Sequence, residues 1–231
     1  MTLAAAAGPS AYWYLTRGTG TVALLLLTAT TLLGIAGTQR WSTARLSRSV
    51  LAELHRSLTL LAIVFVGVHV LTTVADGFAP IGLRDAIIPF LSPYRPFWLG
   101  LGAVAFDLLL AVTITSLLRV RLGLRVWRGV HWLAYATWPI ALLHSLGTGS
   151  DARSGWLELL ALASLAAVAL AAGWRVFTAY DARPPYRVAA AVAVVALPLA
   201  LLGWYRSGPL RSGWASHSGT PSRLLAHRSG R

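Results

Sequence analysis

The chain has 231 residues, 56% of them apolar and 12% charged, where a soluble domain carries about a quarter charged residues. This balance excludes an ordinary soluble globule and describes a protein solvated largely by lipid. The formal net charge of +13 comes from arginine alone, and the absence of cysteine excludes disulfides, iron–sulfur clusters, thiolate metal sites and thiol catalysis.

The N-terminal stretch MTLAAAAGPSAYWYLTRG lacks a basic region running directly into an apolar core and a cleavage site, so no cleaved signal peptide is expected. Six stretches approach the roughly 20 apolar residues that cross a bilayer. The first covers 19–36, with Tyr12, Trp13 and Tyr14 as an aromatic belt before it. The second covers 55–75, the third 97–118 and the fourth 130–146. The fifth covers 156–177 and the sixth 188–205. Lipid leaves no partner for an exposed backbone, so each span must be helical. The expected fold is all-α: an integral membrane six-helix bundle over residues 1–205. The Ser-, Gly- and Arg-rich tail 206–231 is expected to be disordered.

Arginine fixes the expected orientation. Arg40, Arg45, Arg48 and Arg56 lie between spans one and two, Arg119, Arg121, Arg125 and Arg128 between three and four, and Arg175, Arg183 and Arg187 around the fifth connection. These runs read as topology signals and not as a nucleic-acid surface. They place the first, third and fifth loops in the cytoplasm and the N-terminus outside. Arginines in the tail pull the other way. A composition without Lys or Asn suggests a bacterial chain, hence a multi-pass inner (cell) membrane protein in contact with membrane lipid.

Four of the six histidines fall in spans, where ionisable groups are rare and usually functional. His55 and His69 are fourteen residues apart in span two; His131 and His144 are thirteen apart in span four. Fourteen residues of helix rise roughly 21 Å and rotate by roughly −40°, so the first pair shares a side of its helix. Spans two and four run the same way, so His55 can face His131 near the inner surface and His69 can face His144 near the outer one. Facing imidazoles in an apolar pocket suit a six-coordinate haem iron. Haem would thus sit between helices two and four at two levels. The thirteen-residue interval is less tidy, because its rotation of roughly 220° turns His144 away from His131. A kink at Pro139 would have to swing it back.

Other polar residues carry two readings each. Asp107, mid-way along span three, is either a proton- or quinone-site group or half of a helix–helix hydrogen bond. Arg56 and Arg128 flank the inner histidines and either pair with haem propionates or anchor the inner surface. Arg84, Arg95 and Arg153 are weaker candidates for the outer haem. Gly67, two residues before His69, either admits a flat ring or serves packing. Trp132, Tyr135 and Trp138 are expected core and interface aromatics.

The two histidine intervals resemble the ferric reductase-like transmembrane family, whose relatives include NADPH oxidases, yeast ferric reductases and the haem-binding membrane subunit of the bacterial methionine sulfoxide reductase system. The stretches YWYLTRGTG (12–20), SPYRPFWLGLGAVAFDLLLAVTITSLLR (92–119) and WRGVHWLAYATWPIALLHSLGTGSD (127–151) look like its actinobacterial branch. The resemblance implies two b-type haems held by His55, His69, His131 and His144. It implies electron transfer across the membrane to an extracytoplasmic acceptor: ferric iron, a flavoprotein or a methionine sulfoxide reductase partner. This chain shows no segment resembling the flavin/NADPH domain of the oxidases, so the expected donor is a quinol or a cytosolic flavoprotein. The competing reading is a non-redox transporter or scaffold whose histidines are structural.

Overall fold

The computed structural model describes residues 10–39, 47–148, 154–178, 184–222 and 224–225. Arg40, Arg45, Arg153, Arg183 and His227 lie outside the described residues. Among those described there is no strand. The helices in chain order are α1 (Ala11–Thr38), α2 (Arg48–Asp76), α3 (Leu83–Ile87), α4 (Pro96–Leu117), α5 (Arg119–Leu122), α6 (Leu124–His131), α7 (Ala134–Thr148), α8 (Gly155–Thr178), α9 (Pro184–Ser207) and α10 (Trp214–His217).

Five of these, α1, α2, α4, α8 and α9, are long and apolar enough to cross a membrane. α1 and α2 extend beyond the apolar windows, and serine side chains cap their first turns. Ser10 accepts the Trp13 amide at the start of α1, and Ser47 accepts the Val50 amide at the start of α2. Gly77, at φ 65°, ends α2 in the left-handed conformation that favours glycine. Within the spans, Thr28, Thr31, Thr59, Thr72, Thr113 and Thr137 return their hydroxyls to carbonyls one turn back. Each polar group is thereby satisfied inside its own helix.

The fourth expected span is not one helix. The chain breaks at Trp132–Leu133, leaving α6 on one side and the fifteen-residue α7 on the other. Pro139 does not make the break, since α7 runs through it. Bonds one residue shorter than α-helical tighten the junction: Leu133 to Val130, Tyr135 to Trp132 and Ala136 to Leu133. A 3₁₀ step turns about 20° further than an α step, so three of them add roughly 60° to the rotation between His131 and His144. The overwound junction supplies part of the missing turn.

α1 packs along α2 and also against α7 and α8; α4 packs on α7, and α9 on α8. No comparable contact joins α2 to α7, the two helices that face each other with histidines. A dry core of Leu24, Leu27, Ala62, Leu109, Trp138, Leu142 and Leu165 fills the middle of the bundle. There the Trp138 indole donates to Thr28 Oγ1 at 2.8 Å.

Among the described residues after α9, the stretch 208–220 packs back against the bundle. Arg95 is 5% exposed and donates to the carbonyls of Gly147 and Thr148 and to Thr220 Oγ1, while its amide bonds the Gly219 carbonyl. Trp214 meets Trp98 at a tilt and Trp204 edge-on, and donates to the Gly147 carbonyl. Composition hid this, because the holding groups are Arg95, Trp98, Trp204 and Trp214, and of these only Trp214 lies in the Ser- and Gly-rich stretch. Arg223, Arg228 and Arg231 lie outside the described residues.

Candidate functional site

The bundle brings the four intramembrane histidines together as two pairs. His55 faces His131, and His69 faces His144, each pair with ring centroids 6.3 Å apart. The planes cross at 68° in the first pair and 83° in the second. Along α2 the two levels are roughly 21 Å apart.

Three of the four rings are held by one repeated device. His69 Nδ1 lies 2.8 Å from the Thr16 carbonyl, His55 Nδ1 3.0 Å from that of Thr30, and His144 Nδ1 2.9 Å from that of Trp98. A carbonyl only accepts, so each Nδ1 carries the proton and each Nε2 keeps a free lone pair for the partner side. Four residues after each accepting carbonyl stands a glycine: Gly20, Gly34 and Gly102. A Cβ at Gly20 would come within 2.8 Å of the His69 ring, at Gly102 within 2.5 Å of His144, and at Gly34 within 3.4 Å of His55. The missing side chain is what lets the imidazole reach the backbone of the next helix.

His131 is the exception. Its buried Nδ1 has no hydrogen-bond partner. Its ring instead stacks on Trp127 at 5.0 Å with 29° between planes. The other unpartnered buried side-chain atom among the described residues, Thr30 Oγ1, belongs to the residue that holds His55.

A cavity of about 300 Å³ opens beside His69 and His144. Its wall is mainly apolar, with Val66, Val70, Leu99 and Phe106, and Arg17 lines it. The Arg17 guanidinium lies 3.8 Å over the Trp13 ring. Sequence reasoning passed over Arg17 and the three glycines. A signal for two of them was present: Gly20 and Gly34 are fourteen residues apart, the interval of the histidines they face.

The remaining candidates are not brought into this geometry. Arg56 pairs with Glu53 at 2.8 Å with its side chain 70% exposed. Arg128 is exposed, one turn before His131. Asp107 is half-buried on α4 and does not line the cavity. A Cβ at Gly67 would meet nothing within 4 Å. Arg95 caps the end of α7, and Arg84 is exposed on α3.

The donor set restricts what can bind. No group of three or more His, Cys, Asp or Glu residues comes together to hold a metal among the described residues. Each level offers two facing imidazoles and no further ligand, which suits a metal whose other four positions are filled by a macrocycle. A nitrogen–metal bond of about 2.0 Å with the ring centroid roughly 1.2 Å behind it would put two centroids about 6.4 Å apart. Both pairs stand at 6.3 Å.

The family model of the ferric reductase like transmembrane component matches residues 19–142, more than half of the chain. The match takes in His55, His69 and His131 and stops two residues before His144. No curated protein and no solved structure matches. The chain belongs to the ferric reductase-like transmembrane family and is, at that level, a transmembrane electron-transfer component.

Proposed function

From this membership and the matched pairs we propose that the chain is a di-haem b-type membrane cytochrome, passing electrons across a bacterial inner membrane to an extracytoplasmic acceptor. The observation that carries the reading is the equal 6.3 Å spacing of His55–His131 and His69–His144 at two levels of one bundle. Haem bound at these pairs supplies one-electron oxidation and reduction.

The chain's own residues do the rest. His55, His69, His131 and His144 would hold the haem irons through neutral ring nitrogens, with three of the rings oriented by the carbonyls of Thr30, Thr16 and Trp98. Arg17 would supply a guanidinium for propionate carboxylates at the cavity level. The core around Trp138 and Leu142 keeps water out between levels. α6 and α7 together make a sixth crossing, so the arginine-rich α5–α6 end is cytoplasmic and the cavity end is outside. The donor is a quinol or a cytosolic flavoprotein. The acceptor is ferric iron, a flavoprotein or a methionine sulfoxide reductase partner.

Purification of the full chain from haem-replete cells tests this. Two low-spin haems per chain by pyridine haemochrome are expected. A colourless, folded protein overturns the reading and returns the histidines to structural duty in a transporter or scaffold.

A further inference from the structure

The holding device for three histidines follows a register that the fourth position breaks. On α1 the carbonyl–glycine sets are Thr16/Gly20 and Thr30/Gly34, displaced by the fourteen residues that separate the histidines of α2. On α4 the set facing His144 is Trp98/Gly102. The same displacement along α4 arrives at Val112/Ser116. Serine stands where this register would place a fourth glycine.

The serine changes every contact at that position. Ser116 Oγ donates to the Val112 carbonyl at 2.6 Å, and Thr115 Oγ1 also lies 3.2 Å from it. The acceptor that an imidazole would use is already taken. Ser116 Oγ in turn accepts the Trp127 indole N–H at 3.1 Å. The anchored indole is the ring stacked on His131, and His131 Nδ1 is left without a partner. Metal-bound histidines almost always donate their second nitrogen to a carbonyl, carboxylate or water, so this departure is chemically specific.

We propose that Ser116 and Trp127 replace the missing carbonyl–glycine cradle, with Trp127 the positioning residue that sets the ring of His131 as a ligand. The inference rests on reading His131 as an axial ligand. It says in addition that orientation at this one position comes from a stacked aromatic face and not from a hydrogen bond. A purely space-filling Trp127 would not need its indole N–H tied to the residue occupying the cradle register.

The test uses the full, haem-loaded chain and reads haem stoichiometry, low-spin EPR signals and the carbon monoxide difference spectrum of the reduced protein. In Trp127→Ala one of two low-spin centres is lost or becomes carbon monoxide-reactive, and the other keeps its signal, which reports that the bundle is folded. Adding Ser116→Gly frees the Val112 carbonyl and admits the imidazole, so the double variant regains the second low-spin centre. The proposal is overturned if Trp127→Ala leaves both centres unchanged, if both disappear together, or if the double variant behaves as Trp127→Ala. Wild-type protein without haem is a different outcome and overturns the function proposed above.

Discussion

The two histidine levels have the same centroid spacing and different means of keeping it. At the cavity level both rings are tied to a neighbouring helix by Nδ1 and both sit over a glycine. At the arginine-rich level only His55 is tied, and its glycine stands further off, at 3.4 Å from the added Cβ. The lesson is that the geometry of a histidine pair can be over-determined by backbone or left to side chains within one bundle. The over-determined level tolerates less change.

Removing a ligand should have the largest effect. His69→Ala is expected to take the haem content from two per chain to one; unchanged stoichiometry would remove His69 from the ligand set. Gly102→Ala comes next. Its Cβ would fall 2.5 Å from the His144 ring, so the ring must leave the Trp98 carbonyl. Overpacking of this kind costs about 1–3 kcal/mol, and the Soret band and thermal half-life in detergent should both drop. Thr28→Val leaves the buried Trp138 indole without its acceptor, at about 1–3 kcal/mol. That variant should lose stability and keep both haems. Gly34→Ala needs a shift of only a few tenths of an ångström at His55, so a small change in one centre's EPR signal is expected with haem retained. At the bottom of the series, Gly67→Ala meets nothing and should match wild type in every readout. A loss as large as that of Gly102→Ala would show a ring lying against Gly67 and would reverse the ranking.

Much of this was legible in the sequence. Apolar length located the helices, and the fourteen-residue interval placed His55 and His69 on one side of α2. The phase of His144 was not legible. HWLAYA contains no glycine or proline to announce a break, and the only visible breaker, Pro139, stays inside α7. The glycine cradles escaped for a related reason: a glycine marks a close approach only once the facing ring is known. Gly67 was singled out for its nearness to His69 along the chain, but two residues turn roughly 200° around a helix and put it on the other side. The folded stretch after α9 escaped because its holding contacts join residues far apart, such as Arg95 and Thr220.

That last contact has a consequence for the order in which the molecule is built. Arg95 stands 125 residues before the Thr220 hydroxyl it bonds, and the Gly219 carbonyl that accepts its amide is made just before that hydroxyl. The carbonyl end of α7 therefore cannot acquire its full set of donors on a partly synthesised chain. Synthesis of residues 219 and 220, and not insertion of α9, is the event that lets this end of the bundle close.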